Sequence, residues 1–111
     1  MRKIERQMLQ AVNTPGKDMT NANTKVRWSD DQSFVEVLLH NNLIASINWN
    51  TNRMAISDAG WQTTTTKSRL NALLGDLANA CVYQKKFIWY LCQEGETIEL
   101  DSGDTHAIEM Y

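Results

Sequence analysis

The segment from Thr63 to Arg69 carries the residue types best suited to binding chemistry. Four consecutive threonines are followed by Lys67 and Arg69, where an apolar pattern of helical spacing begins. One threonine is enough to cap a helix, and cations in a first turn oppose the positive end of the helix dipole. Hydroxyls, unpaired amides and cations at a helix start are typical of a phosphate or carboxylate site. We therefore predict an anion- or nucleic-acid-binding site at this position.

Trp61 lies just before the threonines, where its indole ring is suited to stack on a base. The predicted site residues are Trp61, Thr64, Thr65, Thr66, Lys67 and Arg69. The alternative is an ordinary helix cap in solvent, whose cations bend away from the dipole or pair with acidic residues of the same chain. The sequence leaves both interpretations open.

A second basic segment, Lys85 and Lys86, stands next to Phe87, Trp89 and Tyr90. If it shared a face with the first, the two would form one basic and aromatic surface for nucleic acid. The alternative is a basic turn beside buried aromatic side chains. The net charge of −2 counts against nucleic acid, because attraction to phosphate supplies most non-specific affinity.

No group of residues indicates catalysis. Neither His40 nor His106 has a nucleophile or an orienting carboxylate fixed beside it by spacing. The aspartates at 30–31 and at 101 and 104 lack the ligand spacing of a calcium loop, and no phosphate-loop, zinc-protease or dinucleotide motif is present. We therefore expect a non-enzymatic protein with no cofactor and no metal.

The two cysteines, Cys81 and Cys92, have no His or Cys partner at metal-ligand spacing. Each is interpreted as a buried structural thiol. A disulfide between them would require an oxidising environment. The basic start, Met1–Arg6, lacks the apolar run of a signal peptide, so the expected location is the cytoplasm.

The 111 residues are expected to form a single small α+β domain, with a charged fraction of 22% that is ordinary for a globular chain. The pattern predicts a helix within 1–13, with its packing against the rest left open, and a loop over 17–23. Four strands forming an antiparallel meander are predicted at 24–29, 33–40, 43–49 and 53–57, with a tight turn at Asn41-Asn42.

The second half of the chain predicts one amphipathic helix and short strands. Apolar residues recur at helical spacing after position 66, at Leu70, Leu73, Leu74, Leu77 and Ala78. This helix is expected to pack on the sheet. Short strands follow at 81–83 and 87–91. The C-terminal segment, 93–111, holds six acidic residues and no Lys or Arg, and its apolar residues can add one or two edge strands.

Three stretches resemble short proteins of tailed bacteriophages, including T7-like and cyanobacterial phages. They are residues 1–5 with 7–8, the stretch 39–45, and 65–74 together with 82–85. The resemblance covers most of residues 1–92 and leaves the acidic segment outside. It brings no site residues with it, but it implies the cytoplasm of an infected bacterium as the working environment.

Such a protein is expected to act by binding a host or phage macromolecule, and so to modulate host transcription, replication or defence. An unidentified protein is the first expected partner, and no membrane is expected. One alternative is a small nucleic-acid-binding protein that uses residues 61–69. Another is a structural or self-assembling component, for which a homodimer is the simplest form.

Overall fold

The computed structural model describes residues 1–111, as two helices and nine strands. The helices are α1 (Lys3–Val12) and α2 (Thr64–Leu77). The strands are β1 (Met19–Asn21), β2 (Thr24–Trp28), β3 (Phe34–Leu39), β4 (Asn42–Asn48), β5 (Arg53–Ser57), β6 (Ala80–Lys85), β7 (Ile88–Gln93), β8 (Glu96–Leu100) and β9 (Thr105–Glu109). This confirms the predicted α+β class.

A six-stranded antiparallel sheet has the order β1-β2-β3-β4-β5-β9. Its buried face follows from the alternation in the sequence, since Val35, Val37, Met54 and Ile56 are each at most 1% exposed. The predicted meander is therefore confirmed and is longer than four strands. β9, from the acidic segment, pairs with β5 and forms the far edge of the sheet.

Two local predictions need correction. The tight turn between β3 and β4 lies at His40 and Asn41, both with positive φ, whereas Asn42 already belongs to β4. This is one residue earlier than predicted, because two positive φ values in a row are what a type I′ turn requires. The segment 17–23 was predicted as loop, but it contains β1, whose mostly polar side chains show no alternation and which forms by pairing with β2.

Helix α1 packs into the core and does not protrude. Met8, Ala11 and Val12 are fully buried. The indole Nε1 of Trp28 on β2 donates a hydrogen bond of 3.0 Å to the carbonyl oxygen of Ala11. A single cluster of buried apolar side chains joins α1, α2 and both sheets.

Helix α2 begins two residues earlier than the apolar pattern indicated, and it buries the predicted stripe of leucines. The side chain of Asn71 reaches from this helix to β6. Its Oδ1 accepts from the Val82 amide at 2.6 Å, and its Nδ2 donates to the Val82 carbonyl at 2.9 Å. Asn71 therefore occupies the outer edge of β6, which would otherwise be open to pairing.

Strands β6, β7 and β8 form a separate three-stranded antiparallel sheet. Its inner face buries Val82, Trp89, Leu91 and Leu100, while β8 is exposed along its first four residues. The prediction that both cysteines are buried is wrong: Cys81 is exposed and Cys92 is partly buried. Both lie on the outer face, because they alternate with the buried residues of β6 and β7. Neither helix is long and apolar enough to span a bilayer.

Candidate functional site

The largest cleft, with a volume of about 470 Å³, opens beside the first turn of α2. Leu39 and Ile44 line it from the large sheet and are both buried. Its remaining lining residues come from the β3–β4 turn, the start of β4, the loop before α2 and the first turn of α2: His40, Asn42, Asp58, Ala59, Trp61, Thr63, Thr65 and Thr66. A volume of this size is in the range of small-molecule pockets.

Thr63 caps α2. Its hydroxyl oxygen accepts from the Thr66 amide at 3.1 Å, and the hydroxyls of Thr63 and Thr66 lie 3.0 Å apart. The first backbone hydrogen bond of the helix runs from the Lys67 amide to the Thr63 carbonyl, so the amides of Thr64 and Thr65 have no partner within the helix. Thr65 and Thr66 line the cleft, while the exposed side chain of Thr64 does not. The predicted threonine segment is therefore a cap, part of which forms the wall of a cleft.

The buried carboxylate of Asp58 fixes the loop that carries Trp61. Its Oδ1 accepts from the amide of Gly60 at 2.8 Å and from that of Gly103 at 2.7 Å, which ties the loop to the β8–β9 connection. The Trp61 amide donates to the Asp58 carbonyl at 2.9 Å. The Trp61 side chain remains 62% exposed at the mouth of the cleft, so a stacking surface is present where the sequence placed it.

Arg69, by contrast, points into the protein. It is 3% exposed, and its guanidinium donates to the Glu5 carboxylate of α1 at 2.9 Å and to the Thr24 hydroxyl at 3.0 Å. Ser68 donates a further short hydrogen bond to Glu5. The charge of Arg69 is thus taken up by an ion pair between α1 and α2 and is not available to an anion in the cleft.

The electrostatics of this pair are set by two opposing effects on Glu5. Burial by itself raises the pKa of the Glu5 carboxyl, but the hydrogen bonds from Ser68 and Arg69 and the positive charge of Arg69 outweigh it. The pKa therefore lies below its ordinary value, and the carboxylate is ionised at neutral pH. The interaction holds the helices together.

The acidic C-terminal segment does not neutralise the helix start. The two ion pairs of the molecule are Arg69 with Glu5 and Arg27 with Glu36, so Lys67 takes part in neither. All six acidic side chains of the segment are exposed: Glu94, Glu96, Glu99, Asp101, Asp104 and Glu109. Pairing of Lys67 or Arg69 with this segment, the alternative left open by the sequence, is absent from the structure.

Lys85 and Lys86 lie at the end of the β6–β7 hairpin, outside the cleft. A shallower groove of about 290 Å³ runs there between Gln62, the hairpin residues Phe87 and Ile88, and the acidic side chains of Glu99 and Asp101. The cations of the two predicted basic segments are therefore not gathered in one pocket: Arg69 is buried, Lys67 is partly buried and does not line the cleft, and the two hairpin lysines are exposed.

Phe87 was not among the predicted site residues, yet it is the most unusual side chain on the surface. It is 91% exposed and has a φ of +67°, next to Lys86 with a φ of +52°. Asparagine and glycine are the residues favoured in such a turn, and a bulky residue with positive φ is rare. The signal in the sequence that could have indicated Phe87 was a Lys-Phe pair between two predicted strands, where a turn is expected.

The other titratable side chains do not form a metal centre, since no group of three or more His, Cys, Asp or Glu side chains could hold an ion. His40 lines the cleft through its place in the β3–β4 turn. His106 is partly buried, and its Nε2 has no hydrogen-bond partner. The cleft thus offers an apolar floor, an aromatic wall and a few hydroxyl and amide groups, which suit binding.

Comparison with known proteins places this chain among phage proteins. The family model described as Kyanoviridae Gp96 protein matches residues 1–107, and the chain belongs to this family of cyanophage proteins. The match supports the resemblance to cyanobacterial phage proteins but not to T7-like phages specifically, and it extends beyond residue 92 into the acidic segment. No curated protein and no solved structure matches the chain.

Proposed function

We propose that this protein is a non-enzymatic accessory factor, which acts in the cytoplasm of the infected cell by binding another protein of the host or the phage. The contact surface is the tip of the β6–β7 hairpin together with the acidic face beside it. The observation that carries the proposal is Phe87, which is almost fully exposed in a left-handed backbone conformation.

Two independent effects make phenylalanine unfavourable for the stability of the fold at this position. Its side chain gains nothing from burial within the chain, and its positive φ costs on the order of 1–3 kcal/mol relative to a residue that tolerates it. Glycine or asparagine would meet the demands of the turn better. An exposed aromatic ring is, however, well suited as the anchor of a protein interface, where a few large side chains supply most of the affinity.

The surroundings of Phe87 suggest the kind of partner. Ile88, the next residue along the chain, is 39% exposed, so the apolar surface continues beyond the tip. Glu99 and Asp101 line the groove beside Phe87. An apolar anchor with carboxylates at its margin favours a partner that has an apolar pocket with a basic rim, because charge complementarity speeds encounter and fixes orientation.

The test is affinity capture from infected host lysate with matched baits: the wild-type protein, Phe87→Gly and Leu43→Ser. Leu43 is a control because it is 44% exposed but lies on β4 of the large sheet. We expect one reproducible partner with the wild-type and Leu43→Ser baits, and at least about a tenfold loss with Phe87→Gly, since an anchor residue contributes about 2 kcal/mol or more.

Thermal unfolding of the same baits separates binding from folding. Glycine accepts positive φ, so Phe87→Gly should unfold at a temperature no lower than the wild-type protein. Equal capture by the Phe87→Gly bait, or the absence of any reproducible partner, would contradict the proposal. Loss of capture accompanied by a lower unfolding temperature would also count against it, because Phe87 would then support the fold.

Nucleic-acid binding is the second candidate, favoured by the exposed Trp61 beside the unpaired amides of Thr64 and Thr65. Against it stand the buried charge of Arg69 and the exposed acidic side chains. The discriminating pair is Trp61→Ala and Lys67→Glu, which leave the Arg69 ion pair intact. A gel shift at low salt that both variants abolish would support this candidate, and no shift of the wild-type protein would exclude it.

A further inference from the structure

We propose that Cys81 and Cys92 form a redox-active dithiol, which closes reversibly into a disulfide across the β6–β7 hairpin. The inference is independent of the proposed function, since it rests on strand register and solvent exposure. The two cysteines are Cα partners in the antiparallel pairing of β6 with β7.

Directly opposed residues of neighbouring strands project from the same face of a sheet. Here that face is the outer one, because Cys81 and Cys92 alternate with the buried pair Val82 and Leu91. Cys81 is exposed and Cys92 is partly buried, so a small oxidant reaches at least the first sulfur. Two positions along the same face, the opposed rings of Tyr83 and Tyr90 stack with centroids 5.4 Å apart. Side chains in this register therefore meet in pairs.

The geometry of the pair follows from the turn and from Asn71. A two-residue turn at Lys86 and Phe87 makes the flanking residues a hydrogen-bonded pair, and hydrogen-bonded and non-hydrogen-bonded pairs then alternate along the hairpin. Cys81 and Cys92 fall on a hydrogen-bonded position. The neighbouring residue, Val82, agrees with this alternation. Its amide and carbonyl both point away from β7 and bond to Asn71, as expected at a non-hydrogen-bonded position.

In such a pair the Cα atoms are about 5.5 Å apart, which lies within the range of about 4.4–6.8 Å that a disulfide spans. The Cβ atoms of hydrogen-bonded pairs are at the wide end of cross-strand distances, near 5.5 Å, while a disulfide requires at most about 4.5 Å. The strands must therefore approach slightly for the bond to close. A disulfide formed under this strain is more easily reduced than a relaxed one.

The oxidant is a low-molecular-weight disulfide such as oxidised glutathione. The Cys81 thiolate attacks one of its sulfurs, a mixed disulfide forms, and one glutathione thiolate leaves. The Cys92 thiolate then attacks Sγ of Cys81, the Cys81–Cys92 bond forms, and the second glutathione thiolate leaves. The two cysteines lose two electrons and two protons, and oxidised glutathione is reduced to two molecules of glutathione.

Closure would lock the register of the hairpin that carries Phe87 at its tip. Because the disulfide is exposed and strained, reduced glutathione should open it again, as is typical of regulatory disulfides and not of permanent ones. The pair is therefore a reversible switch on the small sheet.

The test compares the wild-type protein with Cys81→Ser and Cys92→Ser by intact mass after treatment with oxidised glutathione. We expect the wild-type mass to fall by two hydrogen atoms, with the protein still monomeric, and reduced glutathione to restore it. Each single variant should instead carry one glutathione or remain a free thiol. A wild-type protein that retains glutathione on either cysteine, or that dimerises through a disulfide, would overturn the inference. A Cys81–Cys92 disulfide that excess reduced glutathione does not reduce would contradict the inference that the disulfide is reversible.

A second measurement does not depend on oxidation. Phenylarsine oxide binds tightly only where two thiols reach one arsenic atom, so the reduced wild-type protein should bind one equivalent and each serine variant should bind at least about a hundredfold more weakly, because the chelate is lost. Circular dichroism of the variants checks that they are folded. Equal binding by the wild-type protein and either folded variant would mean that the two sulfurs do not meet.

Discussion

The two sheets of this protein differ in how their polar and aromatic side chains are buried and hydrogen-bonded. On the large sheet and its two helices, buried charges are fully paired: Arg69 binds Glu5 and Thr24, and Asp58 accepts two amides. On the small sheet, a phenylalanine is exposed at the tip, and two thiols lie on the outer face, one exposed and one partly buried. The buried charges of the first region are satisfied within the fold, whereas the second region keeps features that folding does not require. Such departures are expected where a protein contacts something else.

The largest loss of stability is expected from breaking the buried ion pair between Glu5 and Arg69. Glu5→Gln leaves the guanidinium of Arg69 buried without a counter-charge, which typically costs about 3–5 kcal/mol in the free energy of unfolding. Urea unfolding measures it. The double variant Glu5→Leu with Arg69→Met is the control, because apolar replacement of a whole buried pair is often neutral. A loss under about 1 kcal/mol for Glu5→Gln would mean that the pair is solvated.

The junction between the two sheets should be next in magnitude. Asn71→Ala removes both hydrogen bonds to the buried Val82, and an unsatisfied buried group costs about 1–3 kcal/mol. Thr64→Ala, at an exposed position of the same helix, is the control. Hydrogen exchange should rise in β6 and β7 and stay unchanged in β3 and β4. Uniform loss of protection in both sheets would show that they unfold as one unit.

Acid should weaken the paired region first. The folded-state pKa of Glu5 lies below its ordinary value of 4.5, so its stabilising contribution is complete above that pH and is lost as the pH falls through the folded-state pKa. The unfolding temperature of the wild-type protein should therefore drop below pH 4.5, and Glu5→Gln should show a shallower drop. Parallel pH profiles of the two proteins would rule out this assignment.

The smallest effect is expected at the exposed ion pair of the large sheet. Arg27 and Glu36 are cross-strand partners on β2 and β3 with their charged atoms 2.9 Å apart, but the Arg27 side chain is 56% exposed. Glu36→Gln should change the free energy of unfolding by less than about 1 kcal/mol, since solvent screens such pairs. A loss comparable to that of Glu5→Gln would remove the distinction between buried and exposed pairs in this molecule.

The residues that the sequence could locate are those governed by local periodicity. The buried faces of β3 and β5 could be identified from the alternation of apolar residues, and that of α2 from its leucine stripe. Each pattern depends only on residues within one element. β1 escaped prediction since its mostly polar side chains carry no alternation and its strand conformation comes from its partner. The outward placement of the cysteines depends on which face of β6 and β7 packs on the core, and a short apolar run does not reveal that face.

The candidate site was only partly accessible from the sequence. Trp61 and Thr65 could be placed beside the start of α2 because they are close in the chain. Arg69 was assigned to the same surface, but Glu5, which takes up its charge, lies on another helix, and nothing in the local pattern indicates that contact. Phe87 was overlooked as a site residue because exposure at a turn is a property of the tertiary fold.

The pairing of β9 with β5 has a consequence for the order of folding. Helix α2 and the whole small sheet lie between these two strands in the chain, so the large sheet gains its last strand only after a long loop has closed. Contacts of this separation form slowly. Until β9 arrives, the edge of β5 is open to other strands, and a refolding experiment should find a transient species that aggregates with increasing protein concentration.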